Sequence, residues 1–280
     1  MRRFLLRLLR TYILLLVVIF FGQRWLIYHP TKATDAEMTA MGKADGLVPW
    51  RNQAGEIAGW RRDAARALKP ANKLIVFHGN AGNAIHREPY IAGFESLEDG
   101  RLWEVFIFEY PGYGARGGKP SRQSINYAGH EAVKDLITMD DRPVFVLGES
   151  IGSGVACEVA MLEPKRVKGV AVVTPFARLS EVAQRAIPFV PAGLLLRDRW
   201  DNVATLQQSR MPVAVVIAGR DEVIGSEQGE QLYSSLGDRP KQRWLFPQAT
   251  HNTLEFSPLA TWWSEVSLFL IRSSNGSPAE

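Results

Sequence analysis

The chain has 280 residues, 46% of them hydrophobic, enough for one domain with a substantial core. Its formal charge of +4 and pI near 9.2 rest on Arg2, Arg3, Arg7 and Arg10. Setting those four aside from the 33 Lys and Arg leaves 29, equal to the 29 Asp and Glu, so no basic, aromatic-interleaved patch marks a nucleic-acid partner. The single cysteine, Cys157, excludes an intrachain disulfide and a cysteine-rich metal site and reads as a small buried residue.

The arginine-rich start runs into Thr11–Gly22, which carries no charge. Alone, that core is shorter than the roughly 20 residues that span a bilayer, as in a cleaved secretory signal. Phe4–Leu9 is also mostly apolar, however, and Arg7 and Arg24 extend the usable length if they snorkel outward. No small-x-small cleavage site follows Gly22, while Trp25 and Tyr28 are interface-belt residues. The reading is therefore a retained signal anchor, with cleaved secretion second. The arginines predict a cytoplasmic N-terminus and place the rest on the periplasmic or extracytoplasmic side.

Residues 29–49 look like a connector. Gly55–Arg62 fits an early strand, Lys73–His78 a buried strand followed by the turn-rich Gly79–Asn83, and then a helix to about Leu97. Trp103–Glu109 is a further strand. Ser121 caps a helix to about Met139. Val144–Leu147 is a strand, and Gly154–Leu162 is helix-like. Val167–Val173, Val213–Ala218 and Arg243–Phe246 are strands, and Ser257 caps a last helix to Ile271. Near-continuous apolar strands alternating with helices predict an α/β fold, a mostly parallel central sheet with helices on both faces. The organisation is an anchor over 1–28, the connector, a domain over 50–272 and a flexible tail over 273–280. Within the domain, 175–212 is either a partial cap or an irregular crossover.

Gly148-Glu149-Ser150-Ile151-Gly152 lies between the strand ending at Leu147 and the following helix. A Gly-x-Ser-x-Gly in that setting predicts a nucleophile elbow, a strained turn that lifts the serine hydroxyl above the sheet. The small residues flanking the serine let strand and helix approach. A serine hydroxyl needs a base to take its proton and an acid to orient that base. In an open α/β sheet these follow strand C-termini, in the chain order Ser, Asp/Glu, His. Asp221 follows Val213–Ala218, with Glu222, Asp198 and Asp201 as competitors, and His251 follows the last strand. The remaining histidines fit less well: His29 lies by the anchor, His86 and His130 on predicted helices, and His78 precedes the serine. For the oxyanion hole, the N–H of Ile151 opens the elbow helix and the N–H of Asn80, or next Ala81, comes from the His78–Asn83 loop.

Together with His-Gly-Asn-Ala-Gly-Asn at 78–83 and Tyr-Pro-Gly-Tyr-Gly at 110–114, these residues resemble the α/β-hydrolase superfamily, and more closely its membrane-anchored serine hydrolases. The resemblance covers roughly 28–271. It implies an α/β-hydrolase fold behind an N-terminal transmembrane helix, and an enzyme acting on ester, thioester or amide bonds of acyl or lipid-like substrates. Glu149 departs from the His or Tyr common at that position and bears on the pocket entrance. Carboxylesterase or lipase-like activity at the membrane leads; peptidase or amidase activity, and a non-catalytic binding module, are the alternatives. No metal and no cofactor are expected. Gly112–Gly117 matches Gly-x-Gly-x-x-Gly, but Gly118-Lys119-Pro120 prolongs the loop where a dinucleotide fingerprint opens a helix. His130 and Asp135, spaced like an acyltransferase motif, read as a solvated helix pair.

Overall fold

The computed structural model describes residues 1–63 and 70–275. Eight strands form one sheet: β1 (Leu47–Arg51), β2 (Ile57–Arg62), β3 (Asn72–Phe77), β4 (Trp103–Phe108), β5 (Val144–Glu149), β6 (Val167–Val173), β7 (Val213–Ala218) and β8 (Lys241–Phe246). Their order is β8-β7-β6-β5-β3-β4-β2-β1. β1 pairs antiparallel with β2, and β2 with β4; every other pairing is parallel. The central strands are mostly apolar, and β3 and β7 are buried at every position, because helices cover both faces.

Among the described residues ten α-helices accompany the sheet: α1 (Arg2–Ile27), α2 (Asp35–Ala44), α3 (Glu88–Glu95), α4 (Arg122–Met139), α5 (Ile151–Leu162), α6 (Leu179–Ala186), α7 (Ala192–Leu195), α8 (Asn202–Leu206), α9 (Ser226–Ser235) and α10 (Trp262–Ser274). One core face joins α4, α5, α8 and α9 to Ile75, Phe77, Val146 and Val215. On the opposite face α3 and α10 enclose Leu74, Val76, Leu147 and Val216, with the Trp262 and Trp263 rings stacked at 3.7 Å.

Several boundaries differ from the sequence expectation. Residues 29–49 hold α2 and the start of β1; a capping box at Thr34 and Glu37 opens α2. The elbow helix begins at Ile151 rather than Gly154. The last helix starts at Trp262, not after Ser257, because the Ser257 carbonyl accepts from the Ala260 N–H and the Trp263 indole. Ser273 and Ser274 belong to α10, and 276–280 of the expected tail lie outside the described residues.

α1 is long and apolar enough to cross a membrane by length and composition. Its C-terminal half is docked on the domain. Leu16, Ile19, Phe20, Gln23, Arg24, Ile27 and Tyr28 lose exposure in one helical stripe. Arg24 makes a two-point pair with buried Asp198 at 3.0 and 3.1 Å.

Candidate active site

β5 delivers Ser150 at its C-terminal end. Ser150 has φ 53° and ψ −119°, in the left-handed half of backbone space that is costly for a residue with a Cβ. Two glycines permit the turn. A Cβ on Gly148 would lie 2.2 Å from the Gly152 carbonyl oxygen, and one on Gly152 would lie 2.1 Å from the Phe77 carbonyl oxygen. Neither contact is with a flexible side chain, so only glycine fits. The Ser150 N–H donates to the Val173 carbonyl at 2.9 Å, and the Ser150 carbonyl accepts from the Ser153 N–H and hydroxyl. Asn202 in turn donates to the Ser153 hydroxyl at 3.1 Å, bracing the turn from α8.

The loops after β7 and β8 bring two further predicted residues to this hydroxyl. Ser150 Oγ lies 3.1 Å from His251 Nε2, and His251 Nδ1 lies 2.8 Å from Asp221 Oδ2. An ionised carboxylate only accepts, so Nδ1 carries the proton and Nε2 is left as the acceptor facing the serine. The other carboxylate oxygen, Asp221 Oδ1, accepts from the N–H groups of Val223 and Ile224 at 3.0 and 2.8 Å. Burial works to raise the Asp221 pKa, but the His251 hydrogen bond, its charge and the backbone donors outweigh it and hold the carboxyl below its ordinary value. An imidazole held in this tautomer against a hydroxyl can accept its proton.

The competing acids make other contacts. Glu222 accepts from the His251 backbone N–H at 3.2 Å. Asp198 pairs with Arg24 and Tyr28, and Asp201 caps α8. His130 meets Glu163 at 2.9 Å, not Asp135. The Gly112–Gly117 loop closes on itself, Gly112 N–H to Gly117 carbonyl at 2.9 Å, and α4 opens only at Arg122. Among the described residues no group of His, Cys, Asp and Glu is placed to hold a metal.

The two loops of the sequence resemblance interlock. The Tyr110 hydroxyl donates to the His78 carbonyl at 2.6 Å, and the Tyr113 hydroxyl to the Asn80 carbonyl at 2.7 Å. Gly114, at φ 51°, sits where a Cβ would meet Glu109 Oε2 at 2.4 Å. The chain leaving α1 completes the brace. The Asn80 side chain donates to the Ile27 carbonyl at 2.9 Å, the His29 N–H to the Asn80 carbonyl, and His29–Pro30 runs parallel to Ala81–Gly82. Among the described residues neither the Asn80 nor the Ile151 N–H has a protein acceptor.

Beside His251 lies a cleft of ≈ 170 Å³ lined by His86, Arg87, Tyr90, Glu149, Thr174 and Phe256, among others. Glu149 and Arg87 form a bidentate pair at 2.7 and 2.9 Å across its wall. Sequence reasoning missed Arg87 and Thr174. Thr174 follows β6 with φ 45°, an unusual backbone for a β-branched residue, and no local pattern announces it. His86, read as an ordinary helix histidine, lines the cleft on a short 3₁₀ turn, where burial, then Arg87, lower its pKa.

Comparison with known proteins agrees with this architecture. Residues 74–278 match the model of the Alpha/beta hydrolase family. An uncharacterised protein of Mycobacterium tuberculosis is 27% identical over 238 residues, covering 83% of this chain and 82% of that protein. An esterase of Pyrococcus furiosus superposes with a TM-score of 0.65 at 18% identity, over 88% of this chain and 98% of that one. A monoacylglycerol lipase of Paleococcus ferrophilus gives 0.51 at 19%, over 75% and 97%. With the family match spanning well over half its length, the chain belongs to the alpha/beta hydrolase family.

Proposed function

We propose that the protein is a serine hydrolase that cleaves acyl esters through an acyl-enzyme, and that α1 tethers it to a membrane. The observation that carries this reading is the continuous hydrogen-bonded chain from Ser150 through His251 to Asp221. His251 Nε2 takes the Ser150 proton as Oγ attacks the acyl carbonyl. The tetrahedral oxyanion is received by the Ile151 and Asn80 N–H groups. Asp221 holds the imidazole tautomer and stabilises the imidazolium, which protonates the leaving alcohol as the carbon–oxygen bond breaks. Water then repeats the cycle on the acyl-Ser150 ester, releasing the acid and restoring the serine.

The esterase and lipase among its structural neighbours agree with ester chemistry. The ≈ 170 Å³ cleft is close to the ~150 Å³ that accommodates a six-carbon ring. A short acyl or alcohol group beside His251 is the occupant we favour for a cleft of that size. The test is turnover of a p-nitrophenyl ester series, acetate to palmitate, by the detergent-solubilised full chain and its Ser150→Ala variant. The expected result is a maximum at short acyl chains and no turnover by the variant. Equal turnover by both proteins, or none of any ester by a folded wild type, overturns the proposal.

A further inference from the structure

The segment between α6 and α8 is the part of the domain that packs along α1. Phe189 and Leu194 on it are 87% and 78% exposed. They are not isolated. The Tyr12 hydroxyl of α1 donates to the Phe189 carbonyl at 3.0 Å. Gln23 of α1 donates to the Leu195 carbonyl at 3.1 Å and accepts from the Arg197 N–H at 2.6 Å. The Arg197 guanidinium lies over the Phe20 ring at 5.6 Å, and Asp198 pairs with Arg24. The segment thus runs down the helix, from the level of Arg24 at Asp198 to the level of Tyr12 at Phe189. Those two α1 positions are about 18 Å apart along a helix rising 1.5 Å per residue.

This geometry fixes what meets the exposed side chains. The uncharged stretch of α1, Thr11–Gly22, begins at the level of Phe189. Its outward face is itself exposed and apolar: Ile13, Leu14, Val18 and Phe21 are 50% to 72% exposed. A bilayer that receives this stretch receives Phe189 with it, because a hydrogen bond joins the two. At the Phe189 end Gln184 donates to the Pro188 and Val190 carbonyls and Arg185 pairs with Glu227; further polar groups lie at the opposite end of the contact. Trp25, 87% exposed, belongs to the amphipathic class that sits at membrane interfaces. Arg197 and Arg199 are exposed nearby, where anionic headgroups attract them. Arg199 also donates to the Leu194 and Leu196 carbonyls, satisfying backbone acceptors at the end of α7 that hydrocarbon leaves unpaired.

We propose that residues 187–196 form a second membrane-embedded element, entering the lipid beside α1 with Phe189 and Leu194 as its anchoring side chains and Arg197, Arg199 and Trp25 at headgroup level. The proposal rests on α1 as the membrane tether and not on hydrolase activity. It also gives the 175–212 insertion a role: its membrane-facing edge holds the domain at a fixed attitude to the bilayer, in place of a domain swinging freely on a tether.

The test uses the full chain reconstituted in phosphatidylcholine vesicles containing a minor fraction of phosphatidylglycerol. Phe189→Cys, Leu194→Cys, Val18→Cys and Leu259→Cys are each labelled with an environment-sensitive fluorophore. Native Cys157 is buried and stays unlabelled in the folded protein. Leu259 is 90% exposed, in the loop before α10. Doxyl-labelled phosphatidylcholine is expected to quench at least half of the emission at 189 and 194, as at 18, and to leave 259 unquenched. Quenching at 18 with none at 189 and 194 overturns the embedded segment while leaving α1 in the bilayer. No quenching at all four positions overturns both, and equal quenching at 259 replaces the specific dock with general adsorption.

Discussion

Replacing Asp221 by Asn tests the orientation of the imidazole. In the structure Asp221 Oδ1 accepts from two backbone N–H groups, Val223 and Ile224. An amide nitrogen cannot accept there, so the Asn carbonyl must occupy that position and the NH₂ must face His251 Nδ1. Nδ1 then becomes the acceptor, the ring proton moves to Nε2, and Nε2 donates to Ser150 where it needs to accept. The side chain is isosteric and keeps its two backbone hydrogen bonds, so the fold is retained while the base is blocked. A wrong tautomer of this kind costs about 10⁴-fold in kcat, equivalent to about 5.4 kcal/mol of transition-state stabilisation. The assay is kcat and kcat/KM for p-nitrophenyl butyrate, with thermal unfolding by circular dichroism as the folding control. Glu222→Gln is the matched comparison. An amide oxygen still accepts the His251 N–H, so its kcat is expected to stay within about threefold. A folded Asp221→Asn variant retaining more than about a tenth of wild-type kcat refutes the reasoning, as does a larger loss in Glu222→Gln.

Three further outcomes are expected from the same structure. Gly152→Ala drives a Cβ to within 2.1 Å of the Phe77 carbonyl oxygen and 2.7 Å of the His78 carbonyl oxygen. It is expected to destabilise by at least the ~1–3 kcal/mol typical of overpacking and to abolish turnover; a variant with wild-type melting contradicts the close approach. Tyr113→Phe removes one neutral hydrogen bond to the Asn80 carbonyl, worth about 1 kcal/mol. The expected result is kcat lowered about fivefold with KM nearly unchanged, and a KM effect alone would contradict a role in positioning the loop. Asp140 accepts from Arg142 and from buried Lys73, and Arg142 first, with Lys73, holds its carboxyl well below the ordinary range against its partial burial. A depressed carboxyl contributes stability fully above its unfolded value near 3.9 and loses it as pH falls toward the folded value. Asp140→Asn is thus expected to lower Tm at pH 7 by an amount that shrinks steadily below about pH 4; a gap that widens in acid reverses the sign.

The parts of the fold written in local pattern were legible in the sequence. Val167–Val173 and Val213–Ala218 are strands at the predicted residues, because short valine-rich runs bounded by breakers favour a buried strand. Ser121 caps α4 through the Ser124 N–H, as its position before the helical pattern suggests. Other elements carried weaker signals. The α2 capping box lies at Thr34 and Glu37, but the ten-residue helix it opens is short and weakly apolar. α9, SEQGEQLYSS, offers few apolar residues to set a helical period. The gathering of Ser150, Asp221 and His251 was legible because the sheet places strand C-termini side by side, and β5, β6, β7 and β8 are neighbours. What sets the surroundings was not. Glu149 meets Arg87 from 62 residues away, and Asn80 is held by Ile27 and His29, more than fifty residues upstream. No periodicity reports such pairings; they exist only once the sheet has assembled.

The most direct test of the central claim is covalent. A fluorophosphonate reacts with a serine whose proton is taken by a correctly held base, so incubation with the folded full chain should add one phosphonyl group, mapped by peptide mass spectrometry to Ser150. Ser150→Ala should take up none, and Asp221→Asn should label far more slowly. A folded wild type that remains unmodified, or a label found on a different residue, contradicts the assignment of Ser150 as the nucleophile.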